Sequence, residues 1–273
     1  MARLKLGTIV SMERGIEEAM VKVRQFGLPT CQVSCWSPDM LTEDNARQLR
    51  KTAQDNSVEI TTMWTGLPIA VWNFIDGPKT IGLVPPETRN ERIQILKKGS
   101  DFARTLGVGS ITTHVGFIPE NPNDLLFPGL VEAVKEVAAY CASAEQEFWF
   151  ETGQETPVTM LRTFEESGAN NLGVNLDPAN LILYGKANPV DALDVIGKYV
   201  RGVHAKDGHY PTNGRELGQE MPLGKGKVNY QALIPKLKKC GFHGALTIER
   251  EIVGPQQVKD IKRAIRILTP LCW

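Results

Sequence analysis

Eight short apolar runs alternate with amphipathic segments along the 273 residues, and this alternation predicts an α/β fold, a closed (β/α)8 barrel. Two further observations select the closed barrel over an open doubly wound sheet. The length suits the roughly 250 residues that eight βα units need. The turn after the first strand, Ser11-Met12-Glu13-Arg14-Gly15, lacks the glycine-rich phosphate fingerprint that open sheets place there. Gly224-Lys225-Gly226 follows a loop and reads as a turn signal only. No linker or composition shift divides the chain, so residues 1–273 read as a single TIM-barrel domain.

In order, the strands are expected at 5–10, 32–36, 59–64, 110–114, 147–151, 172–177, 199–206 and 245–249. Each is a short run rich in β-branched and apolar residues, bounded by turn residues. The helices are expected at 12–26, 42–56, 87–106, 124–146, 156–166, a segment ending near Gly197, 230–240 and 256–268. Ile16, Met20 and Val23 sit at helical spacing, Gly27 ends that helix, and Thr42 is placed to cap the next. Two proline- and glycine-rich stretches, 65–86 and 207–228, read as long loops, the kind that carries function. Pro178, Gly185 and Pro189 read as a third loop.

Lys plus Arg and Asp plus Glu number 31 each, so the formal charge is zero and the sequence has no electrostatic footprint for nucleic acid or an acidic membrane. The five cysteines have no framework spacing, and Cys31 and Cys35 read as buried apolar thiols. No apolar stretch is long enough to span a bilayer, and residues 6–10 are too short and too closely followed by charge for a signal peptide. These features point to a cytoplasmic protein whose partner is a small molecule; association into a homo-oligomer is left open.

Four successive strands end on groups that bind cations. Phe148-Trp149-Phe150-Glu151 delivers Glu151, the next strand Asp177, the next His204, and the last Glu249, one βα unit apart except where a long loop intervenes. In a barrel, C-terminal strand ends face one mouth. Three carboxylates brought together repel, and one takes up a proton unless a cation neutralises them. An oxygen-rich set with one imidazole suits Mn2+ best, with Mg2+, Co2+, Fe2+ or Zn2+ as alternatives. Alternation by two places Trp149, Asn175, Thr247 and Lys206 on the same inward face as the four.

The motifs Glu151-Thr152-Gly153-Gln154-Glu155-Thr156-Pro157, Val174-Asn175-Leu176-Asp177-Pro178-Ala179-Asn180, Val203-His204-Ala205-Lys206-Asp207-Gly208 and Thr247-Ile248-Glu249 resemble the xylose-isomerase-like TIM-barrel superfamily of sugar phosphate isomerases and epimerases. The resemblance implies that Glu151, Asp177, His204 and Glu249 hold the metal and that Glu151 and Glu249 flank the reacting carbon. Two positions depart from the ketose 3-epimerases, which have a His three residues after the metal Asp and an Arg six after the metal His. Here Asn180 and Tyr210 stand there, so a free ketohexose 3-epimerase is a poor fit, and Asn180 becomes the substrate-facing residue. The chain's four histidines are also too few for the zinc cluster of endonuclease IV.

The chemistry so implied is proton abstraction α to a carbonyl, with the enediolate stabilised by the cation and a glutamate as base. It serves an isomerase or epimerase of a sugar, keto-sugar or sugar phosphate. The same core serves a dehydratase of a keto-polyol or cyclic keto acid, and a sugar-binding barrel without catalysis is a third possibility. His114 and Lys206 are candidates to bind the substrate's oxygens, and Trp64, with Trp36, to stack on its CH face. Glu155 is a candidate to support the metal ligands, His209 and Tyr210 to cover the substrate, and His243 lies at the opposite end of the barrel.

Overall fold

The computed structural model describes residues 3–273. Along the chain run β1 (Lys5–Ser11), α1 (Ile16–Gln25), β2 (Thr30–Cys35), α2 (Glu43–Asp55), β3 (Glu59–Thr65), α3 (Gly77–Thr80), α4 (Pro86–Leu106), β4 (Ser110–Thr113), α5 (Phe127–Ser143) and β5 (Glu147–Glu151). They are followed by α6 (Pro157–Ser167), β6 (Leu172–Leu176), α7 (Pro178–Leu183), α8 (Pro189–Ile196), β7 (Val200–Ala205), β8 (Asp207–Gly208), β9 (Glu220–Met221), α9 (Tyr230–Lys239), β10 (Ala245–Ile248) and α10 (Pro255–Leu268). Eight strands close into a parallel barrel in the order β1-β10-β7-β6-β5-β4-β3-β2, while β8 and β9 pair as a small antiparallel hairpin outside it. This is the expected (β/α)8 barrel.

Strand β5 shows how alternation sorts the side chains. Phe148 and Phe150 point outward, and Phe150 meets Phe164 of α6 edge-on with ring centroids 5.0 Å apart. Trp149 points inward and fills the barrel between β6 and β7. A Cβ on Gly173 would collide with the Trp149 indole and one on Gly202 with Asn175 Oδ1, so glycine is needed at both positions. Gly202 also lets Gln32 and Asn175 meet across the barrel, where the Gln32 amide donates to Asn175 Oδ1 at 2.9 Å. The larger apolar core lies between strands and helices and includes Val33, Ile111, Val174, Leu233 and Leu246.

Several boundaries differ from expectation, for local reasons. The helix expected at 12–26 is divided at Gly15, whose φ of 99° is not helical; Met12–Arg14 is a separate 3-10 turn capped by Ser11. The helix expected from 124 begins at Phe127, because the Asn121 and Asp124 side chains hold turns by accepting from the backbone of Asn123 and Leu126. The loop expected after Asp177 is the helix α7: Asp177 Oδ1 accepts from Asn180 N at 2.9 Å as its N-cap, and Pro178 occupies the first turn, where a missing N–H costs nothing. Short helix α3 interrupts the loop expected at 65–86. Among the described residues no helix is long and apolar enough to cross a membrane, and all five cysteines are free.

Candidate metal centre

Strand ends deliver the four candidate ligands. Glu151 closes β5, Asp177 follows β6, His204 lies in β7, and Glu249 follows β10; the register pairs Glu151 with Asn175 and Thr247 with His204. One donor atom from each of the four lies within 4.8 Å of all the others. His204 Nδ1 stands 3.0 Å from Glu151 Oε1, 3.2 Å from Glu249 Oε2 and 3.9 Å from Asp177 Oδ2. Asp177 Oδ2 and Glu249 Oε2 are buried and meet His204 and Lys206 only as ion pairs, with no well-directed hydrogen bond among the described residues. Buried carboxylate oxygens are costly without such bonds, and a divalent cation fits the convergence of these atoms.

The charges adjust to one another as expected for such a set. Burial pushes Asp177 well above the usual carboxylate range, and neighbouring Glu249 and Glu151 add to this, against the pull of Lys206 and His204. Burial would also raise Glu249, but Lys206 and His204 outweigh it and hold the group below its ordinary value. Glu151 is likewise lowered, by His204 and His114 against burial. Burial disfavours the His204 imidazolium, yet Glu151 and Glu249 raise its pKa well above the ordinary value. With no cation bound, Asp177 is therefore the carboxylate of the three that favours its proton, and His204 carries the compensating positive charge.

Two residues that complete the centre escaped the sequence reading. Gln32, inward-facing on β2, accepts at Oε1 from His204 Nε2 at 2.7 Å, which leaves Nδ1 toward the carboxylates. A glutamine within a strand of otherwise small side chains was the available signal. Glu251, two residues beyond Glu249, binds the Lys206 ammonium at 2.8 Å. Lys206 also lies 3.3 Å from Glu249 Oε2 and 3.5 Å from Asp177 Oδ2, and donates to Asn180 Oδ1 at 3.2 Å. Asp207, next to Lys206 in the chain, turns away. Its carboxylate accepts from the backbone of Gly208, Gly224, Gly226 and Val228 and folds the long loop instead.

Above the cluster is a cavity of about 520 Å3. Of the four candidate ligands, only Glu151 and Glu249 line it; Asp177 and His204 lie behind them. Trp36 and Trp64 form one wall with ring centroids 4.8 Å apart, and Trp72, from the long loop after β3, meets Trp36 edge-on at 6.1 Å. Trp64 donates from Nε1 to Glu151 Oε2, so the wall also orients the carboxylate. His114 packs edge-on against Trp64 and Trp72, with Nε2 3.7 Å from Glu151 Oε1 and Nδ1 unpartnered among the described residues. Burial lowers its pKa despite Glu151, so the ring is held neutral and can donate or accept.

Asn180 lines the cavity and donates to Glu151 Oε1 at 3.4 Å. Lys206 is near the cavity but does not line it, being 2% exposed beneath the carboxylates. The loop after β7 contributes Leu217 to the lining rather than His209 or Tyr210, and it is tied to the Trp72 loop by Phe74 N donating to Arg215 O at 3.1 Å. Glu155 stands outside the four-residue cluster. It is buried with neither carboxylate oxygen hydrogen-bonded among the described residues, and burial pushes it up to about 8.

Residues 20–271 match the xylose isomerase-like TIM barrel family. The chain belongs to that family. A xylose isomerase domain protein from Planctomyces limnophilus is 34% identical, with a TM-score of 0.93 over 99% of this chain and 98% of that one. The fold is shared with a 3-keto-D-glucoside 4-epimerase from E. coli, at 13% identity and a TM-score of 0.71 over 98% and 100% of the two chains. It is also shared with a xylose isomerase-like TIM barrel protein from Mycobacterium smegmatis in complex with magnesium, at 15% identity and a TM-score of 0.72 over the full length of both.

Proposed function

We propose that this family member is a divalent-metal-dependent isomerase or epimerase of a ketose or keto-sugar. The observation that carries the reading is the division within the cluster: Glu151 and Glu249 face the cavity, whereas Asp177 and His204 stand behind them. All four residues would hold the ion, and the two glutamates would also reach the substrate. Manganese fits the mixed oxygen and imidazole set, and magnesium, present in the relative from Mycobacterium smegmatis, fits the same carboxylates. Bound there, a divalent cation supplies Lewis-acid stabilisation of the negative charge that builds on a carbonyl oxygen.

The chain's own residues supply the proton transfers. Glu151 and Glu249 are both held below their ordinary pKa, so each is ionised near neutral pH and able to accept a proton from carbon. They come from β5 and β10, separated by β6 and β7. A substrate between them meets a carboxylate on either side: one removes the α-proton and releases it to solvent, and the other takes up a solvent proton and delivers it to the opposite face of the same carbon. Neutral His114 and Asn180 position hydroxyls, and the three tryptophans bind the CH face and exclude water.

The test is deuterium incorporation from heavy water into a panel of ketoses and 3-keto sugars, followed with the Mn2+-loaded protein. Exchange without loss of water is expected, abolished by chelation. Glu151→Gln and Glu249→Gln keep the side-chain shape, and each is expected to slow exchange by about 10²-fold or more, the scale of a lost general base. Exchange that survives complete chelation, or either variant within a few-fold of wild type, would refute the assignment.

A further inference from the structure

The cavity is longer than the chemistry at its carboxylate end requires. From Glu151 and Glu249 it continues past β1 into the cleft between α1 and the segment after β10, where Arg14, Glu18, Lys22, Arg250 and Gln257 line it. Arg250 is already engaged, 2.7 Å from Glu220 and 2.8 Å from Asp260. Arg14 and Lys22 are not: among the described residues neither has a carboxylate within ion-pair distance. The Lys22 ammonium has a single acceptor, Gln257 Oε1 at 2.9 Å. We propose that Arg14 and Lys22 form an anion subsite, which takes a carboxylate or phosphate carried by the substrate away from its reacting carbons.

Two cations lining one cleft repel each other. Half-burial and the Arg14 charge both weaken the hold of Lys22 on its proton. An oxyanion between them relieves the repulsion and replaces the solvation that Lys22 loses by half-burial. The acidic groups nearby do not substitute for it. Glu18 lines the cleft, but its carboxylate folds back over Gly15. Glu13 is occupied by Ser11 Oγ and by the backbone N–H groups of Trp36 and Ser37. Gln257 links the two sides of the cleft, accepting from Lys22 and donating to Arg250 O at 2.7 Å, so the Lys22 ammonium is held at the wall.

The proposal rests on the isomerase reading for the chemistry at the other end of the cavity, and the experiment separates the two. Fructose, fructose 6-phosphate and fructuronate are compared on the Mn2+-loaded full chain, by calorimetric binding and by deuterium incorporation. Wild type is expected to bind at least one of the two anionic sugars about tenfold or more tightly than fructose. Arg14→Gln and Lys22→Gln should each reduce that anionic-to-neutral ratio by about tenfold, the effect of one charged hydrogen bond. Lys22→Glu should invert the preference. Comparison of the phosphate with the carboxylate identifies which oxyanion the cleft takes. A wild-type ratio near one, or a ratio unchanged in the Arg14→Gln/Lys22→Gln double variant, overturns the subsite. Exchange of fructose without anionic preference would remove the subsite and leave the isomerase reading. An Arg14- and Lys22-dependent preference with no deuterium incorporation into any of the three would do the reverse.

Discussion

Replacing Gln32 by leucine tests whether the second ring of contacts governs the metal centre. The substitution removes the 2.7 Å contact with His204 Nε2 and the 2.9 Å bond to Asn175 Oδ1, both buried inside the barrel. Leaving two such groups without partners costs about 1–3 kcal/mol each, so about 2–6 kcal/mol together. At roughly 2 °C per kcal/mol for a chain of this size, the metal-free Tm is expected to fall by about 4–12 °C. The imidazole also loses the group that fixes its ring and tautomer, which lowers metal affinity by about 10–100-fold. Calorimetric melting without metal and a Mn2+ titration on the same sample measure the two effects. Gln32→Glu keeps an acceptor for Nε2 and should retain the affinity. A folded Gln32→Leu protein that binds Mn2+ within twofold of wild type would refute the reasoning.

Three more outcomes follow from the charges and the aromatic wall. His204 and Asp177 have raised pKa values in the fold, so the metal-free protein binds more protons than the unfolded chain and loses that stabilisation as pH rises through the folded values; the downshifted Glu151 and Glu249 act oppositely, but only in the acidic range around and below 4.5. Since metal displaces those protons, the Tm gained on adding Mn2+ should grow from about pH 6 to about pH 8, and a gain that shrinks over this range contradicts the assignment. Lys206→Met removes the cation that offsets Glu249, Glu251 and Asp177; the metal-free protein should lose about 3–5 kcal/mol, measured by urea unfolding, with Mn2+ binding at least as tight as in wild type and weaker binding counting against this role. Trp72→Ala should raise KM several-fold, in line with about 0.5–1.5 kcal/mol for an aromatic contact, without changing Mn2+ affinity; equal losses in both would mean the tryptophan supports the centre rather than the substrate.

The barrel and the four clustered residues were legible because both depend on short-range regularities. Alternation along Phe148-Trp149-Phe150-Glu151 sorts the inward from the outward face, and a parallel barrel brings all strand ends to one mouth. What escaped depends on contacts between distant segments. Gln32 meets His204 across the barrel, a pairing that strand periodicity cannot report. Glu251 lies beyond the last strand, where alternation no longer fixes direction, and Trp72 is carried by a loop whose path is set by Asn73 and Asp76 and by its tie to Arg215. Helix α7 was hidden by Pro178, which reads as a breaker until Asp177 is recognised as a cap as well as a candidate ligand.

The two sides of the cavity come from different stretches of chain. Trp36, Trp64, Trp72 and His114 all belong to the units of β2, β3 and β4, while the four clustered donors come from β5, β6, β7 and β10. The bond from Trp64 to Glu151 crosses the seam between them. Inheritance can therefore act on the halves separately. Recombination within the N-terminal half would re-contour the aromatic wall while leaving the four clustered donors in place, provided that Trp64 and Gln32, which reach across the seam to Glu151 and His204, are preserved.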